Sequence, residues 1–505
     1  MSPEAPRTTD ARPAPGWLAR VERVTRPVAD GTRDAFARRW AELPAHIRTD
    51  AQTLGRAAVG CEGTHGVFPR CNFTCTPCYH SADANRVRVD GAHTLAQVDA
   101  QMAHLERERG PHGHAQLIGG EVSLLDPDDH AAALLVMRDY GREPMSFTHG
   151  DFDYDYLERL ALGPDGRPRF KRLSFAGHFD TTMRGRRGLR RPRTEAELNG
   201  YRQAFCDLFT RLRKEHGVRF FLAHNMTVTP SNVEEIPRLV RDCRTMGFNM
   251  LSFQPAAFVG DERRWREDYR SLDPDHIWAK IEEGAGATLP FRVLQTGDER
   301  CNRGAIGYYV GERWFPVLDD DPADLAVRDV FYAHLGGIHW HAKPALLALR
   351  LARVLARRPQ LVSVGAGWLR RRVRRAGGPR VVLAALVRGQ VVPMTFVMHR
   401  FMHAEDVRPA WEMLQRGEMS DDPRIKETQE RLQACFYAMA HPETGEIVPA
   451  CVQHAVLDPA ENVALAQLLP LPRRRRTAPA LVAAAPPTLT ARSFGPVGEI
   501  DQVEP

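Results

Sequence analysis

AQLIGG (115–120), EPMSFTHG (143–150) and RFKRLSFAGHF (169–179) decide the fold, and VRFFLAHNMTVT (218–229) and FNMLSFQPAAF (248–258) continue the series. Each run is short, rich in β-branched and aromatic residues, and too apolar to alternate cleanly. Strands covered on both faces read in this way, as a parallel sheet requires. Helix patterns fill the gaps. Leu95, Val98, Met102 and Leu105 share one face, and Thr94 with Gln97 has the spacing of a capping box. Leu198, Tyr201, Phe205, Leu208 and Leu212 align on a second helix, and Ser231 with Glu234 is expected to open a third. Repeated strand–helix units give a parallel sheet with right-handed crossovers, closed or partly closed as a (β/α) barrel, or open. In barrels the loops after the strands build the active site.

Outward from this stretch the chain changes character. Residues 1–55 read as an N-terminal extension, with a Pro- and Ala-rich start expected to be disordered. The tail at 471–505 is expected to be disordered as well. A core at 56–265 is followed by an extension at 266–345 that carries Cys301. Basic amphipathic helices (HAKPALLALRLARVLARRPQ, GWLRRRVRRAGG) and a strand entering a helix (VVPMTFVMHRFMHAEDVRPAWEMLQRG) suggest an appended α+β C-terminal domain at 346–470. At 505 residues, 43% hydrophobic and 26% charged, the composition is that of an ordinary globular protein. A net charge of +6 is too mild to imply nucleic-acid binding. No apolar run approaches the roughly 20 residues that span a bilayer, and the N-terminus lacks a signal core, so a cytoplasmic location is expected. Nine cysteines, three of them crowded together, point to metal or redox chemistry rather than a disulfide framework.

Those three form Cys71-Asn-Phe-Thr-Cys75-Thr-Pro-Cys78-Tyr79, a Cys-x3-Cys-x2-Cys loop. Thiolates this close can ligate three irons of one cuboidal [4Fe–4S] cluster and leave the fourth open to a small molecule; four-Cys ligation is usual for electron-transfer clusters. The plainer alternative is a structural zinc site completed by a residue such as His80, although common zinc motifs use paired Cys-x2-Cys units. Gly119-Gly120-Glu121 ends the next strand. Its glycines allow backbone to approach a ligand, and its carboxylate can receive an ammonium group.

Together the two motifs resemble the radical S-adenosylmethionine (SAM) superfamily. The resemblance implies a partial (β/α)6 barrel, a cluster on Cys71, Cys75 and Cys78, and a Gly119-Gly120-Glu121 segment against the methionine part of SAM. Less specifically, Ser174 lies where the family carries a polar residue facing SAM on the fourth strand. Asn225 lies in a segment resembling the fifth strand of the molybdenum-cofactor-biosynthesis-like branch, and Gln254 in one resembling the sixth strand, which borders the adenine. The family's aromatic before the third cysteine is replaced here by Pro77, so Tyr79 is expected to serve instead. SFQPAAF (252–258), the Cys301 segment, and FVMHRFMHAEDVRPAW followed by Cys435 and Cys451 are similar to a tetraether-lipid-synthase-like branch with extra clusters.

The implied activity is reductive cleavage of SAM to a 5′-deoxyadenosyl radical that abstracts hydrogen from a small-molecule or lipid substrate, with ferredoxin or flavodoxin as electron donor. A radical SAM methylase and a non-catalytic metal-binding protein are the alternatives. An auxiliary iron–sulfur cluster would draw on Cys61, Cys301, Cys435 and Cys451, whereas Cys206 and Cys243 sit on helix patterns and read as core. His149, His178, His224, His399 and His403 lie near strand ends or helix starts. His149 and His224 are expected at the barrel mouth, though satisfied structural roles are the simpler account. Asp151, Asp153 and Asp155 could meet a polar substrate, with helix capping the simpler reading. The Arg-rich stretch at 350–375 suits a solvated helix face, a phosphorylated substrate or peripheral contact with an anionic membrane.

Overall fold

The computed structural model describes residues 17–472; both termini expected to be disordered lie mostly or wholly outside these residues. The five runs form β2 (Gly113–Leu117), β3 (Arg142–Thr148), β4 (Arg172–His178), β5 (Arg219–Val228) and β6 (Met250–Pro255). They follow a short β1 (Cys61–Gly63). β1 to β6 lie side by side in sequence order, all parallel, for example Ser146 opposite Phe175 and Ala223 opposite Met250. Between consecutive strands run helices Gly91–Arg109, Pro127–Asp139, Tyr154–Ala161, Asn199–His216 and Ile236–Cys243, and Pro274–Ala285 follows β6. The alternation of patterns thus gives the expected parallel sheet, and its form is the (β/α)6 half-barrel that the resemblance implies.

The core lies between the sheet and these helices. Val98, Met102 and Leu105 pack with Leu134, Phe175, Phe205, Phe209 and Leu222, all essentially inaccessible. Full burial of each such side chain is worth about 1.5–3 kcal/mol. Cys206 and Cys243 belong to this core. Two expected caps differ. Asp90, rather than Thr94, caps the Gly91–Arg109 helix by accepting from His93 N, and the Thr94 hydroxyl turns inward to Val67 O. Ser231 bonds Glu267, and Glu234 instead meets His276 and Lys280. In both cases a tertiary partner outcompetes the local one.

The stretch expected as an appended domain builds the same sheet. β9 (Val391–His399) pairs parallel with β6, and β10 (Tyr437–His441) pairs parallel with β1. Antiparallel β7 (Asn302–Val310) and β8 (Arg313–Pro316) extend one margin, and β11 (Glu446–Pro449) the other. The sheet order is therefore β11-β10-β1-β2-β3-β4-β5-β6-β9-β7-β8. The reason is physical: a half-barrel ending at β1 and β6 would leave two rows of unpaired backbone N–H and C=O groups. A buried ion pair pins its first strands. Arg142 on β3 grips both oxygens of Glu62 on β1 at 2.9 and 3.1 Å, with both side chains fully buried. Among the described residues no helix is long and apolar enough to cross a membrane.

Candidate active site

The C-terminal ends of β2 to β6 surround one cavity of about 130 Å³. Its wall includes Gly119–Glu121 after β2, Thr148 and His149 at β3, His178 on β4, Thr227 on β5, Gln254 to Ala257 and Val259 at and after β6, and Phe401 after β9. The cysteine loop closes it, with Cys71, Cys75 and Cys78 all lining the space. So the two motifs, separate in sequence, meet where a barrel places its chemistry.

The loop is held by backbone. Cys71 N donates to Asn85 Oδ1 at 2.9 Å, Thr74 N to Arg184 O at 2.9 Å, and Thr76 N to Thr182 O at 3.0 Å. The turn after β6 presses on it from the other side. Gly260 has φ +77°, and a Cβ there would lie 2.3 Å from Cys78 O, so only glycine fits. Burial pushes all three thiols up, Cys71 to about 12, and the Arg264 guanidinium works against that shift. Left alone the thiols are protonated at neutral pH; a metal ion that displaces those protons would turn them into ligands. Among the described residues, the His, Cys, Asp or Glu sets with ligand atoms within 4.8 Å of one another do not include this trio. Tetrahedral zinc, with Zn–S about 2.3 Å, would draw sulfurs to about 3.8 Å apart.

The Gly-Gly-Glu strand end lies against the segment that leads into the loop. Gly120 N donates to Phe68 O at 2.8 Å and Glu121 N to Arg70 O at 2.9 Å. A Cβ at Gly120 would meet Arg70 O at 2.1 Å. The Glu121 carboxylate, expected to receive an ammonium group, is engaged by the protein itself. It accepts from Ser123 N and Oγ and Thr148 Oγ1 through one oxygen, and from His149 N at 2.7 Å through the other. Three of these bonds fall on Oε1 and one on Oε2, which keeps a lone pair. Glu121 thus fixes the shape of the strand end.

Of the other residues named from sequence, Tyr79 and Gln254 line the cavity and Ser174 and Asn225 do not. On those two strands His178 and Thr227, further toward the strand ends, reach it instead. His178 Nε2 lies 2.6 Å from Asp180 and 3.0 Å from Thr227 Oγ1. His149 is at the mouth but satisfied: Nδ1 accepts from Asp151 N, Nε2 meets Asn72 Oδ1 at 2.8 Å, and the ring stacks on Phe73. His224 is fully buried behind the mouth, against Arg202 at 2.9 Å, because Arg202 needs acceptors on every side. His399 and His403 are held by Asn302 and by Phe258 N. Asp153 caps the Tyr154–Ala161 helix through Tyr156 N, and Asp151 pairs with Arg187. Arg264 and Phe401 were not foreseen; the one signal for Arg264 was a basic residue in the turn after the last barrel strand.

Under the cavity His80 Nε2 donates to Gly119 O at 2.6 Å. Against the penalty of burial, His454 at 2.7 Å and His80 at 3.5 Å hold the Asp458 carboxyl below the usual range. This buried set braces the Gly-Gly turn.

A second thiol group assembles where the ends of β9 and the β10–β11 hairpin meet. Cys301 accepts from Arg431 Nε at 3.1 Å, Cys435 Sγ donates to Tyr437 O at 2.9 Å, and Cys451 accepts from Met402 N at 3.4 Å. Burial first, and then the neighbouring thiols, raise Cys435 and Cys451. Arg431 is 7% exposed, and its Nη2 is buried without a partner. Cys61 stands apart on β1, its sulfur accepting from Gln116.

No family model and no curated protein matches the chain. Several solved structures do overlap part of it. SuiB of Streptococcus suis, crystallised with its precursor peptide SuiA, is 13% identical over 39% of each chain, with a TM-score of 0.27. Native anSMEcpe with bound AdoMet is 16% identical, covering 44% of this chain and 57% of its own, at a TM-score of 0.29. Coproporphyrinogen III oxidase (HemN) from Escherichia coli, described as a radical SAM enzyme, is 14% identical, covering 62% and 66%, at a TM-score of 0.29. The chain thus spans about two-fifths of the length of SuiB and somewhat over half of anSMEcpe.

Proposed function

We propose that this chain is a radical SAM enzyme. One observation carries the reading: the Cys-x3-Cys-x2-Cys loop and the Gly-Gly-Glu strand end line a single cavity at the C-terminal ends of a (β/α)6 sheet. The donor set fits the implied group, since three thiols with a guanidinium beside them suit an anionic cluster and leave one iron without a protein ligand. When bound, the [4Fe–4S] cluster and SAM supply one-electron cleavage of the sulfonium to methionine and a 5′-deoxyadenosyl radical able to abstract hydrogen.

The chain's own part is binding, orientation and exclusion. Cys71, Cys75 and Cys78 hold the cluster, and Arg264 offsets its charge. The backbone edge at Gly119–Glu121, stiffened by the Glu121 carboxylate and by His80, receives the amino and carboxylate ends of SAM. Gln254 and the turn after β6 border the adenine, with Tyr79 and Phe401 as an aromatic wall against water. His178 presents an imidazole whose Nε2 is held on Asp180. The substrate is a small molecule or lipid, and the electron donor a ferredoxin or flavodoxin. The test is anaerobic reconstitution with iron and sulfide, then reduction and electron paramagnetic resonance with and without SAM. A reduced-cluster signal that changes when SAM is added supports the reading; a colourless, zinc-holding protein overturns it.

The reading extends to an auxiliary cluster on Cys301, Cys435 and Cys451. The observation that favours it is Arg431, a buried cation with an unpartnered Nη2 beside three thiols that are neutral when protonated. Arg431 Nη1 meets the half-exposed Glu427 carboxylate at 3.4 Å, and a thiolate-bound cluster would add negative charge on its buried side.

A further inference from the structure

Between residues 343 and 390 the chain carries twelve Lys or Arg and no Asp or Glu. This stretch folds into helices Pro344–Arg357, Gln360–Arg375 and Pro379–Val387. Nine of the eighteen large apolar residues exposed on the described surface fall between 340 and 387, so the exposure is concentrated rather than scattered. On the first helix the outward stripe is Ala345, Ala348, Leu349, Ala352, Leu355 and Ala356, at helical spacing. Two of its three arginines turn the other way: Arg350 donates to Val24 O and Arg353 to Thr25 Oγ1. Those contacts seat the N-terminal helix Trp17–Thr25 alongside. It adds a stripe of its own, with Trp17 at 72%, Val21 at 50% and Val24 at 52% exposure. The third helix presents Leu383 at 64% and Val387 at 81%.

The cations divide in two. Arg371, Arg372 and Arg375 are consumed by Asp319, Asp321 and Asp324. Arg357, Arg358, Arg370, Arg374, Arg380 and Arg388 are exposed, and among the described residues no carboxylate lies in ion-pair range of them.

We infer that this face docks on an anionic lipid bilayer, with the apolar stripes in the headgroup–acyl boundary and the unpaired arginines on lipid phosphates. Charge complementarity and the exposed leucines and valines together select this occupant. A nucleic-acid surface would answer phosphates with cations but has no use for exposed aliphatic side chains. A second copy of the chain would set unpaired arginines against each other. The helices have 14, 16 and 9 residues, about 21, 24 and 14 Å, short of the roughly 30 Å hydrocarbon core, so they lie on the surface rather than span it. This docking is independent of the radical SAM reading.

The test is flotation of the full chain with vesicles of phosphatidylcholine, alone or with about one-third phosphatidylglycerol, and with duplex DNA as a competitor. The chain is expected to float only with the anionic vesicles and to be released by high salt. Each exposed arginine is worth roughly fivefold in partitioning. The combined variant Arg357→Ala, Arg358→Ala, Arg370→Ala, Arg374→Ala should therefore bind roughly several-hundred-fold more weakly. Leu349→Ser with Leu383→Ser and Val387→Ser should weaken binding while keeping its salt dependence. All these positions are exposed, and unchanged circular dichroism would show that the variants fold. No flotation with either vesicle overturns the inference. So does DNA binding that the apolar variant leaves intact, or a stable dimer that the same variant dissolves.

Discussion

Cys71, Cys75 and Cys78 come from one nine-residue loop; Cys301, Cys435 and Cys451 come from three segments joined only by the fold. The first group depends on a short stretch of backbone pinned at Asn85, Thr182 and Arg184. The second depends on β9 and the β10–β11 hairpin reaching their places, and on Arg39 of the N-terminal extension, which donates to Gln433 O and Cys435 O. The contrast teaches that local spacing produces a robust and legible site, whereas a site made by long-range pairing is vulnerable at a distance.

The largest expected effect separates the two groups outright. Reconstituted wild type should hold about eight irons per chain and Cys435→Ala about four, with SAM-responsive paramagnetic resonance retained in that variant. Cys75→Ala should also hold about four irons but lose the SAM response. Next comes the scaffold. Arg142→Ala leaves Glu62 charged and unpaired in the interior, and should cost about 3–5 kcal/mol in urea unfolding. A smaller and more selective effect is expected of Arg39→Ala, which removes charge-assisted bonds worth about 1.5–3 kcal/mol from the Cys435 segment. Iron at the second group should fall with the first group intact; equal loss at both would break the comparison. Smallest is a pH effect on the frame. Burial pushes His130, held between Tyr156 and Ser146, down to about 3. The folded state keeps it neutral while the unfolded chain protonates it below about 6.5. The stability it confers is therefore present above that value and lost as pH falls toward 3. Between pH 7.5 and 5.5 His130 alone should account for about 1.4 kcal/mol of lost stability, and His130→Gln should lose that much less than wild type over the same interval.

How much of this was legible follows the same division. β2 to β6 and the helices between them were readable because each is a local pattern, and the Cys loop and Gly-Gly-Glu end because they sit beside those strands. The roles of β9 and β10 were not, since nothing in 391–399 or 437–441 says that it covers an open edge of the half-barrel. Ser174 and Asn225 lie on β4 and β5 outside the cavity lining, whereas His178 and Thr227, nearer the strand ends, border it, a difference of register that the pattern alone does not reveal. The bonds from Ser123, Thr148 and His149 that orient the Glu121 carboxylate at the cavity wall are not visible in the sequence. The conjunction of Cys301, Cys435 and Cys451 is invisible in their spacing.

The most direct test of the central claim is chromatography for 5′-deoxyadenosine after the anaerobically reconstituted chain is incubated with dithionite and SAM, beside Cys75→Ala. The account predicts 5′-deoxyadenosine and methionine from the wild type and none above background from the variant. Intact SAM in both, from protein shown to carry a reduced cluster in the Cys71–Cys78 loop, would contradict it.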